Sequence, residues 1–462
     1  MSEVGLGREG MADFCGIFDM PAPSSSASWS QHNRAIHKSS KEVLQNEFVE
    51  AGKRLREELS MEQDTPDSTI DAMVSFDGTW HHRGFKSPHG IGIAMSVDTG
   101  QVLDAEVLSK ECVECSRMRH KDQDSDDFMI WEYQHFEGGL CANNYEGPSS
   151  GMEQEAAKAV WERSLPRHNI RFTKMLCDGD SKALNDLNNI HKPYGETPIE
   201  KLDCVNHINK RMGKGLRNLR KASKVVKGGA GCLTDGMIGK LTDYYRAAIM
   251  NNTTSSTDPA VIQEKVSTMK TAIMAGLYHS VSQADKDQQH QYCSINWCKY
   301  LKDRRDKTTT YNPNKNTMPE SFLVEIKPLY ERLSTSDLLK RCVAGLTQNQ
   351  NEAINRTIWK RCPKERYGSA QAVERGVASA VLQWNCGAKG LKKLMEAAGL
   401  SVGHHTRAAL NRKDRKRLHS SKYDTAERQK QKRKFAKEDS VKEQQRLKSI
   451  HGSGYGAGEF NE

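Results

Sequence analysis

The stretch Ala72-Met73-Val74-Ser75-Phe76-Asp77-Gly78-Thr79-Trp80 decides how the rest of the chain is interpreted. Its β-branched and aromatic side chains predict a strand, because such residues fit a pleated, half-buried surface. Asp77 and Gly78 then interrupt the run, which predicts that the strand ends at this point. An ordinary Asp-Gly turn has the same sequence, so the meaning of Asp77 depends on whether other carboxylates are expected beside it.

The elements predicted after this strand follow the order strand, strand, helix, strand, helix, strand, helix. Strands are expected at 90–97, 101–108, 170–177 and 201–205, and helices at 151–165, 181–189 and 206–225. Tight turns join the first three strands, which predicts an antiparallel meander. Pro166 is expected to follow the end of the first helix. This order matches a ribonuclease H-like α/β core with a mixed sheet.

Two further acids are expected to join Asp77 in such a core. Asp178 follows the fourth strand directly, so its side chain is expected beside Asp77 at the same end of the sheet. Glu352 begins a predicted helix with an apolar stripe at Ile354 and Ile358. Three carboxylates are the ligands needed for two Mg²⁺ or Mn²⁺ ions about 4 Å apart, which act on phosphodiesters. Each acid alone is equally compatible with a turn, a cap or a solvated position.

Composition limits the kind of protein further. No apolar run is long enough for a membrane helix, and residues 1–20 have no signal-peptide core, so an intracellular protein is expected. The net charge is +10, and residues 407–448 carry 16 Lys and Arg against 6 Asp and Glu. Such a tail is typical of nucleic-acid contact or nuclear import, although a solvated tail without a partner has the same composition. We therefore expect a nuclear protein.

The 12 cysteines are expected to be thiols or metal ligands rather than disulfides. Cys112 and Cys115, followed by His135 and Cys141, have spacings close to those of a structural zinc knuckle. This segment, 109–150, is too polar to build its own core, and a bound zinc ion would explain how it folds. The alternative is four unrelated residues in a loop.

A second motif, Cys204-x-x-His207, supplies at most two zinc ligands. The other two ligands would come from His290 and Cys293, which have Cys298 and His279 nearby. In the alternative interpretation, His207 contacts DNA and Cys204 is merely buried. The residues themselves leave both interpretations open.

At these motifs the sequence resembles the Mutator-like transposases, which use an Asp-Asp-Glu triad. The resemblance rests on five pieces between about residues 70 and 400: Phe76 to Trp80, Asn144 to Gly147 with Ser150 to Glu153, Asp178 to Ser181, Cys204 to His207 with Lys210 to Gly213, and Asn351-Glu352 with Asn355 and Trp359. It implies Asp77, Asp178 and Glu352 as the triad, with Asp180 as a rival for the second position.

The resemblance also implies the partners. These are double-stranded DNA, as transposon ends and as target, and further copies of the same chain. It implies that a helical insertion between Asp178 and Glu352 grips the DNA ends. Four basic residues give modest support to this expectation and are candidate DNA contacts: Lys210, Arg211, Lys214 and Arg217. An ordinary solvated helix face has the same pattern.

The resulting domain prediction has five parts: a helical lead-in at 1–70, the first part of the core at 71–227 with its Cys/His insertion at 109–150, a helical insertion at 228–340, the last core helices at 341–400, and a basic tail at 401–462. No separate zinc-finger or helix-turn-helix module is recognised before Asp77. The alternative to a working enzyme is a domesticated DNA-binding or zinc-stabilised interaction protein that no longer cuts.

Overall fold

The computed structural model describes residues 7–60, 65, 67–82, 86–178, 182–226, 233–312 and 317–425, with side chains up to residue 420. It divides into two compact units, Met1–Asn385 and Cys386–Glu462. Within the described ranges, no helix has both the length and the apolar character needed to cross a membrane. The predicted α/β class is confirmed, since one five-stranded mixed sheet is combined with many helices.

The sheet lies in the first unit and has the order β3-β2-β1-β4-β5. Its strands are β1 (Ile70–Trp80), β2 (His89–Ser96), β3 (Val102–Ser109), β4 (Ile170–Cys177) and β5 (Glu200–Asp203). The pairs β1–β2 and β2–β3 are antiparallel, whereas β1–β4 and β4–β5 are parallel. The meander predicted from the tight turns is therefore present, and β1 lies at the centre of the sheet.

The prediction that the first strand ends at Asp77 is wrong. β1 continues through Asp77 and Gly78 to Trp80, because β2 remains paired with it as far as the Trp80–Gly90 pair. Its pairing with β4, on the other side, stops at Ser75 opposite Leu176. Asp77 is therefore inside a strand but lies just beyond the parallel pairing, where one side of the strand is open.

The helices of the first unit follow in chain order. They are α1 (Arg8–Ile17), α2 (Ser26–Leu59), α3 (Val113–Met118), α4 (Asp126–Phe136), α5 (Met152–His168), α6 (Lys182–Asp186), α7 (Val205–Ala222), α8 (Asp235–Met250), α9 (Pro259–His279), α10 (Lys286–Gln289), α11 (Lys299–Asp306), α12 (Ser321–Leu333), α13 (Ser336–Cys342), α14 (Asn349–Arg361) and α15 (Ala370–Cys386). Pro166 lies inside α5, contrary to the prediction that the helix stops before it. The second unit contains α16 (Ala388–Ala397) and α17 (His404–Thr425).

Three apolar clusters organise the first unit. One joins β1 and β4 to α5, with Phe76, Trp161 and Phe172 completely or almost completely buried. A second joins β2 and β3 to α14 and α15. The third is formed mainly by helices, from Val205 in α7 to Val343 just after α13, and among the described residues it includes none of the sheet. The long segment between β5 and α14 therefore has a core of its own, to which α7 belongs.

Candidate active site

The first two predicted acids lie on neighbouring parallel strands. Asp77 is in β1 and Asp178 follows β4 directly. The register pairs Ser75 with Leu176, so two residues further along each chain Asp77 is level with Asp178. Because β1 and β4 run in the same direction, both carboxylates are presented at one edge of the sheet. Asp180, the rival for the second position, lies outside the described residues.

The third acid is brought to this edge by one face of α14. Gln348 Nε2 donates to the carbonyl oxygen of Phe76 at 2.8 Å, and Trp359 Nε1 donates to Thr79 Oγ1 at 2.8 Å. Between them, Asn355 Nδ2 donates to Asp77 Oδ2 at 2.8 Å. Residues three and four apart share a helix face, so this side of α14, together with its N-cap, lies along the C-terminal half of β1.

Asn351 adds a buried hydrogen bond to the contact between α14 and β1. Its Oδ1 accepts a hydrogen bond of 2.6 Å from Ser75 Oγ, and both residues are buried. Buried polar groups that are paired in this way fix one arrangement, since losing a partner leaves a desolvated group unpaired. The helix that carries Glu352 is therefore held in a defined register on β1.

His207 connects the second and third acids. It lies in the first turn of α7, with Nδ1 3.1 Å from Asp178 Oδ1 and Nε2 3.7 Å from Glu352 Oε1. Lys210, one turn later, places Nζ 3.4 Å from Glu352 Oε1. The structure thus gathers the predicted acids with His207 and Lys210, although the sequence alone left the surroundings of His207 open.

Cys204 is separated from this polar surface. It is buried at the N-cap of α7, where the backbone N–H of Gln348 approaches Sγ at 3.4 Å. Among the described residues, the Cys/His groups with metal-binding geometry do not include Cys204 or His207. This arrangement favours the interpretation in which Cys204 is merely buried, and it places His207 beside Asp178 and Glu352.

Glu153 is a site residue that the sequence analysis did not identify. It lies in the first turn of α5, and its Cγ is so close to Gly78 that a Cβ added there would meet it at 2.9 Å. Burial, and then the charge of Asp178, raise the pKa of Glu153. The only signal in the sequence is its position within the Ser150–Glu153 piece, because an acid in a first turn is usually explained by the helix dipole.

Burial and crowded negative charge together set the electrostatics of the site. Burial raises the pKa of Asp77 to about 7, and the charges of Glu153, Glu352 and Asp178 act in the same direction against the hydrogen bond from Asn355. Carboxylates that repel one another in a partly desolvated site are stabilised by a cation. Their oxygens are the donors that Mg²⁺ and Mn²⁺ prefer, so the residues present fit divalent ions.

The predicted basic residues lie on the solvent side of α7. Lys210, Arg211, Lys214 and Arg217 are exposed, whereas Val205, Ile208, Met212 and Leu216 of the same helix are buried in the helical core. Positions 207, 210, 214 and 217 share one face of the helix. A row of positive charge therefore begins at the acidic site and continues away from it along α7.

The predicted zinc knuckle residues also come together. His135 Nε2 lies 3.4 Å from Cys112 Sγ and 3.3 Å from Cys115 Sγ, and Cys115 Sγ lies 3.6 Å from Cys141 Sγ. In a tetrahedral zinc site, bond lengths of ~2.0–2.1 Å to nitrogen and ~2.3 Å to sulfur place a nitrogen and a sulfur ~3.6 Å apart and two sulfurs ~3.8 Å apart. These four side chains, on and beside α3 and α4, fit a zinc ion.

A family model described as Mutator-like transposase matches residues 1–298. The matched part includes Asp77, Glu153, Asp178 and His207 and ends before Glu352. Neither the curated proteins nor the solved structures gave a match to the chain.

Proposed function

This chain belongs to the Mutator-like transposase family, and we propose that it is a DNA transposase whose acids Asp77, Asp178 and Glu352 cut and join DNA strands. The observation that carries the proposal is the contact of α14 along β1. It brings Glu352 to the edge of the sheet where Asp77 and Asp178 lie. A protein that only binds DNA has no need for this crowding of carboxylates.

The sheet topology supports a ribonuclease H-like core. A three-stranded antiparallel meander is extended by two strands that are parallel to the first, in the order β3-β2-β1-β4-β5. The segment between β5 and α14, with its own helical core, would then be the insertion that separates the second acid from the third.

Two Mg²⁺ or Mn²⁺ ions held by Asp77, Asp178 and Glu352 would stabilise the charge on the attacking and leaving oxygens of a phosphodiester. Asn355 orients Asp77 through its hydrogen bond, and His207 keeps Asp178 and Glu352 on either side of one imidazole. In the first reaction, water bonds to phosphorus and the bond to the 3′ oxygen breaks, which frees a 3′-hydroxyl. In the second, that hydroxyl attacks a target phosphorus and displaces a target 3′ oxygen.

The row of charge on α7 supports contact with double-stranded DNA. From His207 to Arg217 it extends ~15 Å at 1.5 Å per residue, enough to follow neighbouring phosphates. Because the row begins at the acids, a strand bound there would be led toward them. We propose further that the protein acts in the nucleus as a homo-oligomer on transposon ends and target DNA, and that residues 112–141 hold a structural zinc ion.

The decisive experiment measures cleavage of labelled transposon ends in Mg²⁺ or Mn²⁺, together with binding of the same DNA. Asp77→Ala, Asp178→Ala and Glu352→Ala should each abolish cleavage and leave binding within about twofold. Glu352→Asp should also fail, because a displacement of about 1 Å costs roughly 10²-fold. Glu365→Ala, at an exposed acid, is the matched control.

Two results would contradict the proposal. Cleavage that survives Asp77→Ala would show that the chemistry belongs to other residues or to a contaminant. Wild-type protein that binds the ends but never cuts them, with either metal ion, would favour a DNA-binding protein that has lost the activity.

A further inference from the structure

A second group of metal-ligand side chains lies in the helical segment, far along the chain from the zinc knuckle. His279, His290, Cys293 and Cys298 have one ligand atom each within 4.8 Å of all the others. His279 is the last residue of α9, His290 follows α10, and Cys298 is the N-cap of α11. The group therefore joins the ends of three helices without any contribution from Cys204 or His207.

The distances are those of a tetrahedron with an ion at its centre. The two Nδ1 atoms of His279 and His290 are 3.2 Å apart, where zinc bonds of ~2.0–2.1 Å predict ~3.3 Å. Cys293 Sγ lies 3.5 Å from His279 Nδ1 and 3.6 Å from His290 Nδ1, and Cys298 Sγ lies 3.5 Å from His290 Nδ1. A nitrogen and a sulfur bound to the same zinc are expected ~3.6 Å apart.

Hydrogen bonds do not account for this arrangement. His290 Nδ1 approaches three potential partners within 3.6 Å, whereas one ring nitrogen carries a single proton or a single lone pair. One cation between the four atoms satisfies all of them together.

The other side of His290 has the partner expected of a metal ligand. Its Nε2 lies 3.1 Å from the hydroxyl of Tyr311, and the ring stacks on Tyr300 with centroids 4.5 Å apart. Metal-bound histidines usually use the second ring nitrogen in a hydrogen bond, which fixes the tautomer and the orientation of the ring. Both histidines present Nδ1 to the group, so both rings require the same tautomer.

This segment also lacks an apolar core. Between Ser282 and Asn312 the buried residues are Gln283, Gln289, His290, Cys298 and Asp303. None of them is an aliphatic or aromatic hydrocarbon side chain, while Ile295 and Trp297 are exposed. A segment of about 30 residues with such an interior needs another source of folding energy, and a structural metal supplies it.

We propose that His279, His290, Cys293 and Cys298 bind a structural Zn²⁺ ion that folds the segment from the end of α9 to Tyr311. This site is independent of the zinc knuckle and of the acidic site. The sulfur and nitrogen donors select zinc, whereas the carboxylates of the acidic site suit Mg²⁺ or Mn²⁺.

The test is the zinc content of the full-length protein purified without chelators. Wild type should contain about two zinc ions per chain if the knuckle is also filled, and Cys293→Ser and Cys115→Ser should each lose one. Cys204→Ser is the matched control and should lose none. Zinc content unchanged by Cys293→Ser, or reduced by Cys204→Ser, would overturn the site as described.

Two further measurements separate loss of the metal from general misfolding. His279→Cys should keep the zinc, because Nδ1 is the ring nitrogen nearer the backbone and a thiolate can take its place. In cobalt-substituted Cys115→Ser protein, the thiolate-to-cobalt charge-transfer absorption should correspond to the two thiolates Cys293 and Cys298. In the double variant Cys115→Ser, His279→Cys, it should correspond to three thiolates. Hydrogen exchange in Cys293→Ser should rise within 279–311 and stay unchanged in the sheet; a rise throughout the chain, or no added thiolate band, would count against the proposal.

Discussion

Asn355 donates a hydrogen bond of 2.8 Å from Nδ2 to Oδ2 of Asp77. The two residues are far apart in the sequence, and their contact joins the strand that carries the first acid to the helix that carries the third. It also holds one carboxylate oxygen of Asp77 in a fixed direction.

Replacing Asn355 with Ala should slow cleavage without abolishing it. A hydrogen bond to a charged group contributes about 1.5–3 kcal/mol, which corresponds to roughly 10- to 100-fold in rate. The measurement is single-turnover cleavage at saturating metal ion, beside Asp77→Ala. Thr357→Ala on the same helix is the control, because its hydroxyl bonds to the backbone of its own helix; equal rates for the two variants would remove Asn355 from the site.

Stabilisation by Mg²⁺ should grow as the pH rises through about 7. Burial and the neighbouring carboxylates raise the pKa of Asp77 to about 7, so its protonated form contributes stability that is complete below pH 3.8 and lost as the pH passes 7. A cation replaces the proton only above that pH. Melting temperatures at pH 5 and pH 8, with and without Mg²⁺ and without chelator so that zinc is retained, should show the larger Mg²⁺ effect at pH 8.

Asp77→Asn supplies the control for this pH dependence. The variant has no carboxylate to ionise at that position, so Mg²⁺ should raise its melting temperature less than that of wild type at pH 8. An Mg²⁺ effect of equal size in both proteins would mean that the ion binds elsewhere.

Glu153→Gln should weaken the affinity of the acidic site for Mg²⁺. Removing one carboxylate beside Gly78 lowers the negative charge that faces Asp77 and Asp178, so a higher Mg²⁺ concentration should be needed for half-maximal cleavage. We expect a severalfold increase, with the maximal rate largely recovered at high Mg²⁺. Glu155→Gln, whose side chain is 45% exposed and paired with Lys158, is the control on the same helix; identical Mg²⁺ curves for both variants would place Glu153 outside the electrostatics of the site.

Removing the chain after His405 should weaken non-specific DNA binding and reduce its dependence on salt. Helix α17 exposes Arg412, Lys413, Arg415 and Lys416, and each phosphate contact that is lost reduces the slope of log K against log salt by about 0.9. The basic cluster Arg428 to Lys434, which lies outside the described residues, should also direct nuclear entry. A truncated protein with the same affinity, salt slope and location would make the tail a solvated extension only.

The sequence was most informative where a local pattern decides the structure. The fourth strand has the predicted bounds, because its apolar residues Ile170, Phe172 and Met175 to Cys177 are buried in the sheet and Asp178 interrupts the pattern. The predicted end of the first strand at Asp77 is wrong, because Gly78 and Thr79 stay in the strand through their pairing with β2. Such pairing depends on the assembled sheet and produces no recognisable pattern in the local sequence.

For the site, the sequence predicts which residues have metal-binding chemistry but not how the fold brings them together. Three acids in fold order indicate a metal site, but the chain does not record which helix face meets β1 or that Glu153 points to the same edge. The Cys/His residues illustrate the same limit. Ligand spacing predicts the group of Cys112, Cys115, His135 and Cys141 that the structure brings together. For Cys204 and His207, one of the two open interpretations combined them with His290 and Cys293, because ligands scattered along a chain can be combined in several ways.

The contact between α14 and β1 has a consequence for synthesis of the protein on the ribosome. Asp77 and Asn355 are separated by 278 positions, so β1 emerges from the ribosome long before α14 has been made. Synthesis adds about 5–20 residues per second. The acids of a nascent chain therefore remain an incomplete set until the whole helical segment has emerged. For a protein that cuts DNA as proposed, this activity would become available only after α7, with its row of basic residues, has been made.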